Sequence, residues 1–385
     1  MGSAWVDHPS WELVDEASDA CGRDVAALLL HADADELRHT RNSQLSTFVL
    51  SMVVLDAVER TGLLPDRAAG HSLGEYSALC ATGALAYDDA VRLVAERGEA
   101  MQIAAEEQTG TMAAVLGLDD DLVGTACARV DGDVWVANYN APGQVVIAGG
   151  PEAVAAAGVV AKELGAKRSM GLPVGGAFHT PFMAPARDRL RKALASVDIR
   201  EPAVPVIANV DAQGRSTSNE WQSLLAAQLC SPVQWRQTLY TLRDEGVDTF
   251  LELGPGTALT GMAKRTNKGA GTLSVSAPSD VDGLLASITE LARRSGPAPA
   301  TTNADTLHNG ENLYVTERLV VSPAAGIFTP RSDLETGAIL SVGDSVGTVG
   351  DEEVRSPFAG VLMGVMALPG ERVTSRQPIA WLRTS

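Results

Sequence analysis

The sequence predicts an α/β protein built on a mainly parallel sheet and followed by a separate all-β module. Three observations carry that prediction. From about residue 10 to 295, helical periodicity alternates with short β-rich runs. Between Arg294 and Glu311 the composition turns to Pro, Ala, Thr and Asn with almost no large apolar side chain, as in a flexible linker. From 312 to 385, short β-rich runs are punctuated by Gly and Pro, with little helical periodicity.

Helices are expected over Leu45–Arg60, Tyr87–Gln108, Pro181–Ala195 and Ser218–Cys230, and strands over Arg67–His71, Gln144–Ala148, Val204–Ile207 and Thr249–Leu253. Residues 109–178 read strand (TMAAVLGL), helix, strand (VWVANYN), strand (QVVIAG), helix, strand (RSMGLPV). That β-α-β-β-α-β order is the ferredoxin-like pattern. It is expected as a small subdomain inserted into a larger one made of 1–108 and 179–295, where it walls one side of a cleft. The linker is set at 296–311 and the β module at 312–385.

With 45% apolar and 20% charged residues over 385 positions, the composition is that of a globular protein with a sizeable core. A net charge of -18 argues against nucleic acid or anionic membrane as partners, since both present negative charge. An acidic protein or an anionic thioester would need a local basic patch, and most of the 30 basic residues are arginine. Cys21, Cys80, Cys127 and Cys230 are widely spaced and form no C-x-x-C pair, which reads as buried thiols in a reducing compartment. The start MGSAWVDHPSWELVDE lacks the pattern of a secretory signal, and no run of 18 apolar residues occurs. A cytoplasmic, soluble protein is expected.

Gly70-His71-Ser72-Leu73-Gly74 is a G-x-S-x-G between a candidate strand and the helix-forming run EYSALCATGAL, the setting of a nucleophile elbow. The flanking glycines let the backbone turn sharply, and the helix N-terminus faces developing negative charge. A serine attacks acyl groups once a base takes its proton, and histidine suits that task near neutrality. His8, His31, His39 and His308 lie in polar helical or linker contexts and read as solvated. The side chain of His71 is expected on the face opposite Ser72. His179 remains, in GGAFHTPFMAP after a strand and before a helix, where an α/β fold places residues at the carboxyl edge of its sheet. Alone, it is open between a structural and a catalytic reading.

The blocks GHSLGEYSAL at Gly70, VRLVAERGEAMQ at Val91, NYNAPGQVVIAG at Asn138, GGAFHTPFMAPA at Gly175, QLCSPVQW at Gln228 and FLELGPGTALTG at Phe250 occur in one order. Together they resemble the bacterial malonyl-CoA:acyl-carrier-protein transacylases over about residues 1–295. The resemblance implies an α/β-hydrolase-like core and a reaction that moves malonyl from malonyl-CoA to the phosphopantetheine thiol of acyl-carrier protein. It makes Ser72 the residue that is malonylated, His179 its base and later acid, and Arg97 the anchor for the malonyl carboxylate. Arginine fits that role because it offers two parallel donors and stays charged; on the sequence alone, Arg97 reads equally as a solvated helix residue. Gln228 would accept the second histidine N–H through its backbone carbonyl, and Leu73 would offer its N–H to the oxyanion. His71, Asn140 and Gln144 fall near the substrate channel, although the last two equally suit the NAPG turn. Phe178 is bulky where relatives that take methylmalonyl carry a small residue, which favours malonyl. No metal or redox cofactor is implied. The Gly-rich LELGPGTALTG run lacks a lysine at the spacing of a phosphate loop and reads as a tight turn.

The β module carries an internal repeat: SPAAG at Ser322 recurs as SPFAG at Ser356, 34 residues later, and each copy leads to a Gly-acid turn and a valine. Two such halves resemble the flattened barrel of biotinyl and lipoyl carrier domains. A carrier needs a lysine amine on a hairpin tip, here Gly347–Asp351, and no lysine follows Lys268. The module is therefore expected to dock a partner or serve structure rather than to swing a cofactor.

One feature of the family is missing: a first strand ending in a G-Q-G-S-Q loop, whose glutamine gives the second oxyanion donor. The expectation is either an internal methionine of a longer protein at Met1 or a truncated, impaired enzyme. Other readings that use the same residues are a polyketide-type acyltransferase, a serine hydrolase or thioesterase, and a noncatalytic scaffold.

Overall fold

The computed structural model describes residues 1–284, 286–288, 290, 317–334, 336–357, 359–375 and 377–383. The linker expected at 296–311, and His308 within it, lie outside these. The chain divides into two units, Met1–Leu55 with Pro65–Asp280 and Asp56–Leu64 with Val281–Ser385.

The first unit opens with helices that periodicity alone did not single out: α1 (Glu12–Cys21), α2 (Val25–His31) and α3 (Ala34–Arg38). Asp24 and Asp33 cap the second and third by accepting N–H groups of the first turn. Helix α4 (Thr40–Glu59) starts five residues before the predicted Leu45 and is apolar nearly all round, with Leu45, Phe48, Val49 and Val53 buried, as a core helix requires. Strand β1 (Ala68–Ala69) is only two residues long, because the chain leaves the ladder at Gly70 to make the turn into α5 (Gly74–Ala81). Helix α6 (Tyr87–Glu107) ends within one residue of its predicted boundary.

The inserted unit then runs β2 (Thr111–Leu116), α7 (Asp120–Ala128), β3 (Val134–Ala141), β4 (Gln144–Gly149), α8 (Pro151–Glu163) and β5 (Arg168–Gly171). Its sheet order is β3-β4-β2-β5 with every neighbour antiparallel, which is the topology of two interleaved β-α-β units. Val115, Val145 and Ile147 of the sheet pack on Val123, Val154 and Ala157 of the two helices. Beyond its own sheet, β3 is tied to the chain near Val233: Tyr139 N–H donates to the Val233 carbonyl, and Val233 N–H to that of Ala137.

After a 3-10 turn at Pro181–Met183, whose first donor is met by the Thr180 hydroxyl, come α9 (Ala184–Leu194), β6 (Val206–Ile207), β7 (Gly214–Arg215), α10 (Trp221–Gln228), α11 (Trp235–Asp244), β8 (Thr249–Leu253), α12 (Ala258–Thr266), β9 (Gly271–Val275) and α13 (Pro278–Asp282). The expected mainly parallel sheet is corrected here. Strand β1 pairs parallel with β6, but β6 pairs antiparallel with β7, so that sheet is mixed. The parallel pair β8–β9 forms a second, separate sheet. Among the described residues no strand lies on the other edge of β1 or of β8. Ala69 and Phe250 nonetheless pack on one cluster with Trp235 and Leu239, so both pieces rest on the same layer.

The second unit contains β10 (Glu317–Val321), β11 (Gly326–Pro330), β12 (Ile339–Leu340), β13 (Ser345–Val349), β14 (Glu352–Arg355), β15 (Gly360–Val365), β16 (Arg372–Val373) and β17 (Pro378–Arg383). They form two antiparallel sheets, β10-β17-β15-β12 and β14-β13-β11-β16. A shift of four strands turns one order into the other, β10 to β14, β17 to β13, β15 to β11 and β12 to β16. The 34-residue sequence repeat is thus a structural twofold in which each half contributes strands to both sheets. Their inner faces share one core of Val320, Phe328, Val346, Val354, Leu362 and Leu382, among others. Replacing Phe328 by Ala should cost about 3–5 kcal/mol of this unit's stability. Hydrogen exchange of the β11 and β13 amides should accelerate while that of β2–β4 stays unchanged; unaltered protection in β11 would contradict the shared core.

Candidate active site

The elbow forms because of one glycine rather than two. A Cβ on Gly70 would lie 1.8 Å from the Gly74 carbonyl oxygen, whereas a Cβ on Gly74 would meet nothing within 4 Å. Between them Ser72 is held at φ 53°, a left-handed conformation that a side-chain-bearing residue adopts at a cost of about 1–2 kcal/mol. The Asn209 side chain, in the loop after β6, spans the turn. Its Oδ1 accepts the Ser72 N–H at 2.7 Å and its Nδ2 donates to the Gly70 carbonyl at 2.7 Å. With the Ser72 N–H so committed, the Leu73 N–H is the one left at the start of α5 without a partner among the described residues. It points out of a helix N-terminus, where negative charge is favoured.

Ser72 Oγ lies 2.8 Å from His179 Nε2, and His179 Nδ1 lies 2.8 Å from the Gln228 carbonyl oxygen. A carbonyl can only accept, so Nδ1 carries the proton and Nε2 is the free base facing the serine. Gln228 is the last residue of α10, and its carbonyl belongs to the negative end of that helix. That end does for the ring what a carboxylate does in other triads: it fixes the tautomer and steadies the imidazolium. His179 also has a positive φ, 62°, the second side-chain-bearing residue of the site under such strain. Burial, and then the nearby Arg97 charge, push its pKa down to about 3, so the ring is neutral and able to accept a proton at ordinary pH.

Arg97 lies on the buried stripe of α6, in line with Ala90, Val94 and Met101, and is 1% exposed. Its Nη1 donates to Gln44 Oε1 of α4, and its Nη2 to Gln228 Oε1 at 2.8 Å and to Ser72 Oγ at 3.1 Å. The guanidinium also stands 5.5 Å from the centre of the Tyr76 ring. Every one of these acceptors is neutral, and no carboxylate forms a salt bridge with Arg97 among the described residues. A buried cation with no direct salt bridge, 3.1 Å from the Ser72 hydroxyl, can hold an anionic group beside that oxygen.

The remaining predicted positions divide. His71 Nε2 lies 2.8 Å from Asn140 Oδ1 on β3, with its ring edge-on to Trp235, so the inserted unit reaches the elbow through this pair. Gln144, at the start of β4, is bonded by Arg265 instead and joins none of the groups around Ser72. Phe178 is half-buried beside Gly176 and Ala105. His8, one of the histidines read as solvated, accepts the Ser10 N–H in a local cap, while His31 and His39 are exposed. Gln44, Glu75 and Asn209 went unnoticed in the sequence. The visible signal was a polar residue on an apolar helix stripe: Arg97 on α6 and Gln44 on α4 both break one, and they meet. No group of three or more His, Cys, Asp or Glu suited to a metal occurs among the described residues.

Residues 4–284 match the family model described as "Acyl transferase domain". The malonyl CoA-acyl carrier protein transacylase of Bacillus subtilis (strain 168) is 41% identical over 273 residues, 70% of this chain and 86% of that protein. The chain belongs to the malonyl CoA-acyl carrier protein transacylase family. A crystal structure of the acyl-carrier-protein S-malonyltransferase from Burkholderia pseudomallei 1710b superposes with a TM-score of 0.71 at 41% identity, covering 74% of this chain and 94% of that one. A second similar structure shows a type II polyketide acyl-carrier protein in complex with its malonyl-transacylase, with a TM-score of 0.70 and 37% identity over 72% of this chain and 91% of that one. The family likeness falls on the first unit, which holds the Ser72, His179 and Arg97 cluster.

The elbow geometry separates two glycines that the motif treats alike. Gly70→Ala should fail to fold or melt well below the parent, while Gly74→Ala, at the first turn of a helix, should leave the melting temperature within a few degrees. Ser72→Gly should be about 1–2 kcal/mol more stable than Ser72→Ala in urea unfolding, because glycine removes the left-handed strain. Equal stability of the two would show that the elbow stores none.

Proposed function

We propose that this chain transfers the malonyl group of malonyl-CoA to the phosphopantetheine thiol of acyl-carrier protein in fatty-acid synthesis, through a malonyl ester on Ser72. The observation that carries the reading is the buried Arg97 guanidinium, without a direct salt bridge among the described residues, 3.1 Å from the serine oxygen and beside a serine–histidine pair at 2.8 Å. As Oγ attacks the thioester carbonyl, His179 Nε2 takes its proton, and the developing oxyanion accepts the Leu73 N–H. The tetrahedral intermediate collapses with loss of the CoA thiol, which receives the proton from His179. The carrier's thiol then attacks the seryl ester by the same steps in reverse order. Thiol replaces thiol, so no electron acceptor enters the balance. Arg97 holds the free carboxylate throughout, and Gln228 supplies the carbonyl that keeps His179 in one tautomer. His71 and Asn140 line the same mouth, and Phe178 is read as excluding an α-methyl group. A hydrolase that frees simple acids has no use for a buried cation at this place.

The second oxyanion donor is read as the glutamine of a G-Q-G-S-Q loop, a motif that this sequence does not contain. Losing one such donor costs about 10²–10³ in rate. The second unit is read as a biotinyl/lipoyl-type barrel that docks a partner rather than carrying a cofactor, since a two-residue turn, Gly350–Asp351, closes its β13–β14 hairpin without a lysine. A cytoplasmic setting suits the substrates, and among the described residues no helix is long and apolar enough to cross a membrane.

Intact-mass measurement after incubation with malonyl-CoA should show a malonyl adduct on the parent protein and none on Ser72→Ala. An unmodified parent would refute the transfer. Arg97→Ala should reduce malonyl loading by about 10²-fold or more while handling of an uncharged acyl thioester is retained or increased; malonyl loading at the parent rate would remove the anchor from the account.

A further inference from the structure

Glu75 stands outside the trio and yet is 0% exposed, in the first turn of α5 and three residues past the nucleophile. A buried carboxylate ordinarily requires a cationic partner or several donors. No salt bridge reaches this one among the described residues. One of its oxygens accepts the Asn209 backbone N–H at 2.7 Å, and the other accepts the Gln228 Nε2 group. Both donors belong to residues that shape the site. Asn209 bridges the elbow, and Gln228 bonds Arg97 through its side chain and His179 through its backbone.

We propose that Glu75 is a positioning residue for malonyl transfer, setting the orientation of the Gln228 amide so that its oxygen, not its nitrogen, faces Arg97. The two ends of an amide are nearly equal in size, so shape does not choose between them. A carboxylate chooses, because it only accepts. Gln228 Nε2 therefore turns to Glu75 and to the Ser72 carbonyl, 2.9 Å away, and Oε1 is left for Arg97. With the amide reversed, an NH₂ group would confront the guanidinium and push it from its place beside Ser72. The amide also bridges the two buried charges, which form no salt bridge with each other among the described residues: its oxygen accepts from Arg97 and its nitrogen donates to Glu75.

The carboxyl must be ionised to accept twice. Burial pushes its pKa up, to about 7, with the Asp211 charge acting in the same direction; the bonds from Asn209 and Gln228 and the Arg97 charge across from α6 act against this. Tyr76, next along α5, is neutral, its pKa pushed higher still by burial. As pH falls through about 7, Glu75 takes a proton, its O–H must donate, and one of its two donors loses its acceptor. His179 titrates far lower and does not share this range.

This inference rests on the reading that Ser72 is malonylated, and the test keeps the two apart. Loading of Ser72 is measured with malonyl-pantetheine, which lacks the titrating phosphates of CoA, between pH 5.5 and 8.5, and serine reactivity is followed in parallel with a fluorophosphonate probe. Glu75→Gln should lower kcat/KM for malonyl loading about 10–100-fold, chiefly through KM, with probe labelling within about threefold of the parent. In the parent, KM should rise as pH drops below about 7, and that limb should be absent from Glu75→Gln. If Glu75→Gln does not fold, the parent's profile decides: a KM flat across pH 6–8 overturns the role of Glu75. So does loading by Glu75→Gln at the parent KM. A parent labelled by the probe but never by malonyl overturns the transfer reading, and this inference with it.

Discussion

A guanidinium loses much of its hydration when buried, and proteins usually compensate with a carboxylate. Here Arg97 is buried among two carboxamides, a hydroxyl and an aromatic face. The rest of the first unit can be understood as the scaffold that makes this tolerable. Helix α6 carries Arg97 on its core stripe, α4 supplies Gln44, the C-terminus of α10 supplies Gln228, and the elbow brings Ser72 within 3.1 Å. Four elements far apart in sequence converge on one cation, so a shift in any of them changes the site. None of these direct partners is charged, and in the proposed transfer the acyl group's own carboxylate would pair with the guanidinium.

The reacting pair is strained and preorganised together. Ser72 and His179 both hold positive φ angles, and each is fixed by a group with no chemistry of its own, Asn209 for the serine and the Gln228 carbonyl for the histidine. Burial that depresses the basicity of His179 keeps it neutral and able to take a proton, although the same burial raises the cost of an imidazolium at this place. The carbonyl at the end of α10 offsets part of that cost through its bond to Nδ1.

Much of this was legible in the residues themselves. The G-x-S-x-G marked the turn between strand and helix at Ser72, the order of runs over 109–178 gave the order of elements around that four-stranded sheet, and the SPAAG/SPFAG repeat pointed to the twofold in the second unit. His179 and Arg97 needed the family motifs, because a lone histidine or a helix arginine is ambiguous until the fold shows what it faces. Glu75, Asn209 and Gln44 were invisible for a physical reason: each acts through one to three hydrogen bonds to residues 53 to 153 positions away, and local pattern carries no trace of such pairing. The split of the expected parallel sheet was missed because pattern gives strand content, while pairing depends on which strands are neighbours.

In the proposed transfer, Arg97 is the cation that pairs with the acyl group's own carboxylate. A crystal structure of the protein loaded with malonyl on Ser72 tests it directly. The malonyl carboxylate should make two parallel bonds to the Arg97 guanidinium, each about 2.8 Å long, with the Ser72 Oγ contact to Nη2 given up. A carboxylate turned toward solvent, with Arg97 still bonded only to Gln44, Gln228 and Ser72, would contradict it.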